Sequence, residues 1–244
     1  MTKGRLYLIP SPLGEYDPAE VIPAGTLGVL RSLHCFVVEE VRTARRYLSA
    51  AGLKGHIAEL EFHELNEHTA PAEVTSLLKL FDSGDVGLIS EAGLPAVADP
   101  GASLVALCHS NGIQVVPLCG PSSLMLALMA SGLDGQSFAF RGYLPAKTEE
   151  RRSAIRRTEK DSAALHQTQI FIETPYRNDA LLTDLIATLA PGTRLCIAAD
   201  ITCSDEMIRT RSIARWRKEV ERGFAVGKRP CVFVLLAANY GKTQ

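Results

Sequence analysis

Apolar runs of strand length recur through the first half of the chain, at residues 6–9, 35–38, 57–62, 86–90 and 115–118. Several are apolar at successive positions instead of alternating, which is the pattern of strands covered on both faces of a parallel sheet. Helix-patterned stretches at residues 27–33, 43–51, 73–81 and 103–111 separate them. Parallel neighbours need a long return connection, so this alternation predicts an α/β domain with crossover helices.

After Cys119-Gly120-Pro121 the rhythm changes. Helices are expected at residues 123–131, 148–165, 178–189 and 215–220, and strands at 137–141, 169–172, 195–199, 207–212 and 231–236. Strands less regularly interleaved with helices predict a mixed sheet. The expected fold class is therefore α/β with two domains and no long linker: residues 1–118 around a mostly parallel sheet and residues 119–244 around a mixed one. A length of 244 residues is ample for both.

Composition narrows the function classes. At 46% hydrophobic and 22% charged residues the chain is globular, neither disordered nor collagenous. A formal net charge of -1 excludes a uniformly basic nucleic-acid binder. The total conceals a split, however: residues 1–120 carry 8 basic and 14 acidic side chains, and residues 121–244 carry 18 and 13. The longest apolar run, residues 124–130, falls far short of the roughly 18 residues of a membrane span. Residues 6–9 are too few for a signal-peptide core, and a cytoplasmic protein without membrane attachment is expected. The 6 cysteines form no C-x-x-C pair, which favours buried reduced thiols.

Neither a phosphate-binding G-x-x-x-x-G-K-[ST] loop, nor a G-x-G-x-x-G turn after the first strand, nor a G-x-S-x-G elbow is present. The densest unusual segment is Ser90-Glu91-Ala92-Gly93-Leu94-Pro95-Ala96-Val97-Ala98-Asp99-Pro100-Gly101, directly after an apolar strand. Such a loop lies where α/β sheets bind ligands, and Glu91 or Asp99 can meet a cationic or hydroxylated group. A double turn with Asp99 capping the next helix is the structural alternative. Glu39-Glu40-Val41-Arg42 closes the second strand, with an ion pair and a general base both open as roles. His63, Glu64, Asn66, Glu67 and His68 crowd the end of the third; His63 and His68 lack an accompanying ligand set, so no metal is expected. Glu173-Thr174-Pro175-Tyr176-Arg177 ends a later strand in the same manner.

These strand-end segments, taken in order, resemble the tetrapyrrole-methylase superfamily of S-adenosylmethionine-dependent methyltransferases. Within it the chain is most similar to the branch that includes the ribosomal small-subunit RNA 2'-O-ribose methyltransferase I. The family's P-[TS]-P-[IL]-G opening stands as Pro10-Ser11-Pro12-Leu13-Gly14, and its A-E-D-T-R as Val38-Glu39-Glu40-Val41-Arg42. H-E-H-N corresponds to His63-Glu64-Leu65-Asn66, and S-D-A-G-x-P...D-P-G to residues 90–101 with Glu91 for the aspartate. P-G-P-S appears as Cys119-Gly120-Pro121-Ser122, G-F-L-P as Gly142-Tyr143-Leu144-Pro145, and E-S-P-H-R as residues 173–177. The resemblance spans nearly the whole chain.

It implies two α/β domains, a homodimer, and S-adenosylmethionine held between the domains. The cofactor contacts it implies are Pro12, Ser90, Glu91, Ala92, Val97, Ser122, Ser123 and Glu173, with Asp200 and Ile201 on a more divergent segment. For methylation of a ribose hydroxyl the candidate base is Glu40, oriented by Arg42, with the ion-pair role equally open. His63 and Asn66 are candidate acceptor contacts. Acceptor-side motifs depart from the family, with Leu65 for the second histidine and Lys228-Arg229-Pro230 before the last strand.

Residues 141–160 hold 7 basic and 3 acidic side chains. On a helix Arg152, Arg156 and Lys160 recur every four residues as one ridge, suited to RNA phosphates or, alternatively, paired with Glu149, Glu150 and Glu159 on a solvated face. The function expected is methylation of small-subunit ribosomal RNA. Methylation of a tetrapyrrole-type small molecule and a non-catalytic S-adenosylmethionine sensor are the alternatives.

Overall fold

A computed structural model describes residues 3–238. The chain forms two compact units, Met1–Ser122 and Ser123–Gln244, each with its own sheet.

The first unit runs β1 (Leu6–Ile9), α1 (Pro18–Val21), α2 (Ala24–Ser32), β2 (Cys35–Val38), α3 (Val41–Leu48), β3 (Glu61–Glu64), α4 (Pro71–Ser76), β4 (Val86–Ile89), α5 (Ala102–Ser110) and β5 (Val115–Pro117). All its strand pairs are parallel, in the order β3-β2-β4-β1-β5. Leu27 and Leu30 of α2 and Ala44 and Leu48 of α3 pack with Tyr7, Ile9, Phe36 and Val38 on one face. Val74 of α4 and Leu104 and Cys108 of α5 pack with Leu6, Val37, Val86 and Leu88 on the other. Every side chain of β4 is buried, which is why its sequence reads as an unbroken apolar run.

The order of strands fixes where a ligand goes. From β1 the chain moves past β4 to reach β2, whereas from β4 it moves past β1 to reach β5. The neighbours β1 and β4 therefore send their connections in opposite directions. A crevice opens between their carboxyl ends, the topological switch point of an open α/β sheet.

Three expected boundaries shift. The strand expected at 57–62 is a 3-10 turn at Ile57–Glu59 followed by β3, which begins only where the Glu61 N–H bonds the His34 carbonyl. Ile57 and Leu60 instead pack beneath α2 and α3, so the apolar signal lies ahead of an edge strand that is itself half exposed. The helix expected at 73–81 tightens into a 3-10 segment at Leu77–Asp82, and that at 43–51 widens at Ser49–Leu53, where Gly52 takes φ 107°.

The second unit holds α6 (Ser123–Ser131), β6 (Phe138–Tyr143), α7 (Thr148–Leu165), β7 (Thr168–Glu173), α8 (Asn178–Thr188), β8 (Arg194–Ala199), β9 (Met207–Ser212), α9 (Ile213–Glu221) and β10 (Cys231–Leu236). The sheet order is β6-β7-β10-β8-β9, with only β6 and β7 parallel, a mixed sheet as expected. Ile155 of α7, Leu181 and Leu185 of α8 and Trp216 of α9 close over Phe171, Ile197 and Phe233. The two phenylalanine rings stack with centroids 5.6 Å apart.

Candidate functional site

The switch-point crevice is bounded by residues 10–14 after β1 and residues 90–101 after β4. These loops are joined as a miniature sheet: the Ser11 N–H donates to the Gly93 carbonyl at 2.8 Å, and the Gly93 N–H returns to the Ser11 carbonyl at 3.1 Å. The Ser11 hydroxyl adds a bond to the Ser90 carbonyl at 2.5 Å. Gly93 has φ 78°, and a Cβ there would stand 3.2 Å from Leu13 Cδ2, so the close approach of the loops needs glycine. Ala96 and Ala98 also sit in the left-handed region, at φ 64° and 63°. Non-glycine residues are held there only where the surroundings over-determine them. A cavity of about 420 Å³ lies against both loops and α3, lined by Pro12, Ser90, Glu91, Ala92, Arg46 and Tyr47 among others. The Tyr47 hydroxyl donates to the Pro10 carbonyl at 2.8 Å, tying α3 to the first loop.

Three carboxyl groups crowd this edge, and all are shifted toward the neutral form. Burial raises Glu39, opposed by a hydrogen bond from the Glu91 N–H and reinforced by Glu67. Burial also raises Glu91, opposed by the Thr43 hydroxyl and reinforced by Glu39 and Glu40. Asp99 is pushed up to about 6, first by burial and next by the charge of Glu39, while a hydrogen bond from Ser90 pulls the other way. Acidic groups gathered where water is partly excluded favour either a proton or a bound cation.

Glu40 behaves differently. It is the N-cap of α3: its carboxylate accepts from the backbone N–H groups of Arg42 at 2.7 Å and Thr43 at 2.8 Å, and from the Thr43 hydroxyl at 2.7 Å. Those bonds hold its pKa below the ordinary value, led by the Thr43 hydroxyl. A carboxylate so stabilised is a weak proton acceptor, and Arg42 adds to its stabilisation through its backbone N–H and its charge. The carboxylate expected as a base oriented by Arg42 thus also caps α3.

Of the two expected acceptor contacts, His63 lies in β3 and Asn66 follows that strand. His63 Nε2 lies 2.7 Å from Glu61 Oε1 on the face of the sheet. Asn66 builds a turn, its side-chain oxygen accepting from the His68 N–H at 3.0 Å.

In the second unit Glu173 ends β7 with its side chain wholly buried. Its Oε1 accepts from Arg177 Nη2 at 2.6 Å, Arg177 Nε at 2.9 Å and the Thr174 N–H at 2.7 Å, whereas Oε2 is buried with no hydrogen-bond partner. Asp200, at the end of β8 with φ 48°, gives its carboxylate to Arg229 Nε. Ile201 beside it is nearly buried. Ser122 and Ser123 stand at the start of α6. Pro12, Ala92 and Val97 present apolar surface at the loops of the first unit, Val97 being 44% exposed.

The basic ridge divides in two. Arg151 and Arg152 both grip the buried Asp184 of α8, Arg151 Nη2 at 2.5 Å and Arg152 Nε at 2.8 Å. Arg152, its side chain 37% exposed, also lies 3.7 Å from Glu149. Arg156, which donates to Ser153 Oγ, stays exposed with Arg157 and Lys160. Glu159 is turned inward, accepting from the Ala190 N–H and the Thr193 hydroxyl, so it does not neutralise them. A second group of cations has no counterpart in the sequence reading: Arg215 and Lys218 of α9, Arg222 just past it and Arg211 of β9, with Glu219 paired to Arg211 and Arg215. Its signal was the three-and-four spacing of cations opposite Ile213, Trp216 and Val220.

Residues 18–215 match the family Tetrapyrrole (Corrin/Porphyrin) Methylases. This chain is a methyltransferase of that family. The chain is 34% identical to the ribosomal RNA small subunit methyltransferase I of Escherichia coli O157:H7, over 90% of its own length and 74% of the relative's. It is 34% identical to that of Neisseria meningitidis serogroup B over 99% of its length and 79% of the relative's. In fold it is similar to uroporphyrin-III C-methyl transferase from Thermus thermophilus complexed with S-adenyl homocysteine, with a TM-score of 0.58, 19% identity and coverage of 96% and 97% of the two chains. The tetrapyrrole methylase motifs of this chain all sit at strand ends or the loops that follow them, which is what a site assembled at one edge of each sheet requires.

Proposed function

We propose that this methyltransferase uses S-adenosylmethionine to methylate a ribose 2'-hydroxyl of small-subunit ribosomal RNA, in the cytoplasm and as a homodimer. The observation that carries the reading is the pair of loops locked at the switch point between β1 and β4 beside three carboxyls whose pKa burial raises. The names of the relatives support the acceptor.

The residues present fit the cofactor. It is a sulfonium cation, and an acidic, partly dehydrated edge favours it by charge. Pro12, Ser90, Glu91, Ala92 and Val97 from the first unit, with Ser122, Ser123, Glu173, Asp200 and Ile201 from the later part of the chain, are the proposed contacts. Glu173 Oε2, buried with no partner, offers an acceptor to an amino or hydroxyl donor. Asp200 contributes through its backbone, since its carboxylate belongs to Arg229. When bound, S-adenosylmethionine supplies an electrophilic methyl group whose leaving group is already activated.

The chain's own work is then to orient the acceptor and to take its proton. Alignment of the two reactants supplies much of the acceleration. Asp99 is the proposed base in place of Glu40: burial raises its pKa to about 6, and a hydrogen bond from Ser90 holds its carboxylate. Arg156, Arg157 and Lys160 on α7, with Lys218 of α9 and Arg222 just past it, are the proposed phosphate contacts. On β8, Arg194 lies at the α9 end and Asp200 follows the other end, so a ligand reaching both is long, as an RNA is and a tetrapyrrole is not.

The test is transfer of labelled methyl from S-adenosylmethionine to small ribosomal subunits, free ribosomal RNA and a tetrapyrrole extract, followed by nucleoside analysis. Label as a 2'-O-methyl nucleoside is the expected result. Label in the tetrapyrrole fraction alone, or tight cofactor binding with label in none, overturns the reading in favour of a small-molecule enzyme or a sensor.

A further inference from the structure

We propose that Cys35, Glu61 and His63 form a site for one zinc-class divalent cation that fastens the edge strand β3 to β2. The parallel register sets Cys35 directly opposite Glu61 and Val37 opposite His63. Glu61 and His63, two residues apart, point to the same face of the sheet as Cys35. One ligand atom from each, the thiol sulfur, a carboxylate oxygen and a ring nitrogen, lies within 4.8 Å of the other two. Zinc bonds of about 2.0–2.3 Å in a tetrahedron place ligand atoms roughly 3.3–3.8 Å apart, so side-chain rotation within these rotamers closes the set.

The donor chemistry selects the metal class. One sulfur, one imidazole nitrogen and one carboxylate oxygen suit zinc and its cobalt surrogate, whereas calcium and magnesium take oxygen ligands. A thiolate and a carboxylate cancel the two charges of the ion, the thiol proton passing to solvent. Glu61 is well exposed, leaving the fourth position open to water. The sequence showed His63 without company because its partners come from a neighbouring strand and from two residues upstream.

The site is separate from the crevice. Cys35 and Glu61 are the first residues of β2 and β3, at the end of the sheet away from the loops after β1 and β4. Cys35 packs on the face covered by α4 and α5, whereas α3 and the cavity beside it lie on the other face. What a cation would supply is a cross-link. β3 is a four-residue edge strand with no fully buried side chain, held by a single neighbour. An ion bound only in the folded state stabilises it by mass action.

The experiment uses the full chain, stripped with a chelator and titrated with Co(II). Expected is a near-ultraviolet thiolate-to-cobalt band that saturates at one equivalent and is displaced by Zn(II), together with a Zn(II)-dependent rise in Tm. Cys35→Ser should lose the band and the Tm response, and Glu61→Gln should weaken Zn(II) at least about tenfold. If Cys35→Ser fails to fold, His63→Gln serves: it should abolish the Tm response while sparing the Zn-free Tm. Absence of a saturable band, or a band that persists in Cys35→Ser or His63→Gln, overturns the proposal. None of these outcomes bears on methyl transfer, so the two readings fail independently.

Discussion

Asp99→Asn separates stability from turnover in a way that tests the carboxyl cluster directly. The amide keeps an oxygen to accept from Ser90 and removes the titratable proton. In the folded protein Asp99 is raised from 3.8 to about 6, chiefly by burial and then by Glu39. A carboxyl whose folded pKa exceeds its unfolded one binds its proton more tightly when folded, so the ionised form costs stability. That cost is nil below about pH 4, grows as the pH rises toward 6, and is constant above it. A gap of roughly 2 units corresponds to about 3 kcal/mol at 1.36 kcal/mol per unit. Because the side chain is partly exposed, screening reduces this to on the order of 1.5 kcal/mol. The variant should therefore be more stable than the parent at pH 8 by about that amount and equal to it near pH 4. As removal of a general base it should also lower turnover, by roughly 10²–10⁴-fold. Urea unfolding followed by far-UV circular dichroism at both pH values measures the first quantity, since the single tryptophan, Trp216, reports only on the second unit. Methyl transfer at saturating cofactor measures the second. A variant destabilised equally at both pH values, or one with parental turnover, refutes the assignment.

Glu40→Ser keeps a capping oxygen and should retain turnover, whereas Glu40→Ala should lower the urea midpoint at neutral pH. That loss should fade as the pH drops below the usual carboxylate range, because the depressed pKa of Glu40 confers stability only while it is ionised; a collapse of activity in Glu40→Ser at parental stability would restore the base role. Arg156→Glu combined with Lys160→Glu should reduce the slope of log affinity for RNA against log salt by about 2, near 0.9 for each phosphate no longer neutralised, without altering cofactor affinity by calorimetry. Asp184→Ala leaves Arg151 buried and unpaired and should cost about 3–5 kcal/mol in chemical denaturation, much of it recovered by adding Arg151→Met. An unchanged midpoint in Asp184→Ala would remove the clamp between α7 and α8.

Strands were legible where the apolar or alternating pattern was strong. Leu6–Ile9, Cys35–Val38, Met207–Ser212 and Cys231–Leu236 fall where their apolar or alternating patterns put them. β3 was misplaced because an edge strand needs few apolar residues, and the stretch before it had more. At the site, Gly93 and the serines at 11 and 90 were legible as a punctuated loop, but the mutual bonding of the two loops depends on strand order, which local sequence does not encode. Glu40 reads as a base in the sequence because a carboxylate at a strand-to-helix turn can serve catalysis as well as capping. Its bonds to the Arg42 and Thr43 N–H groups show the capping part. Arg152 looked solvent-facing because helical spacing alone cannot reveal an aspartate 32 residues away.

The reciprocal bonds between Ser11 and Gly93 also bear on how binding is paid for in entropy. Loops that gather around a ligand must lose their freedom at the moment of capture, and affinity suffers accordingly. Here the two segments already restrain one another through backbone groups, which substitutions away from Ser11 and Gly93 leave in place. Sequence drift in the surrounding side chains can therefore retune what is recognised while the frame that presents them stays the same, so that acceptor preference and cofactor grip are free to evolve at different speeds.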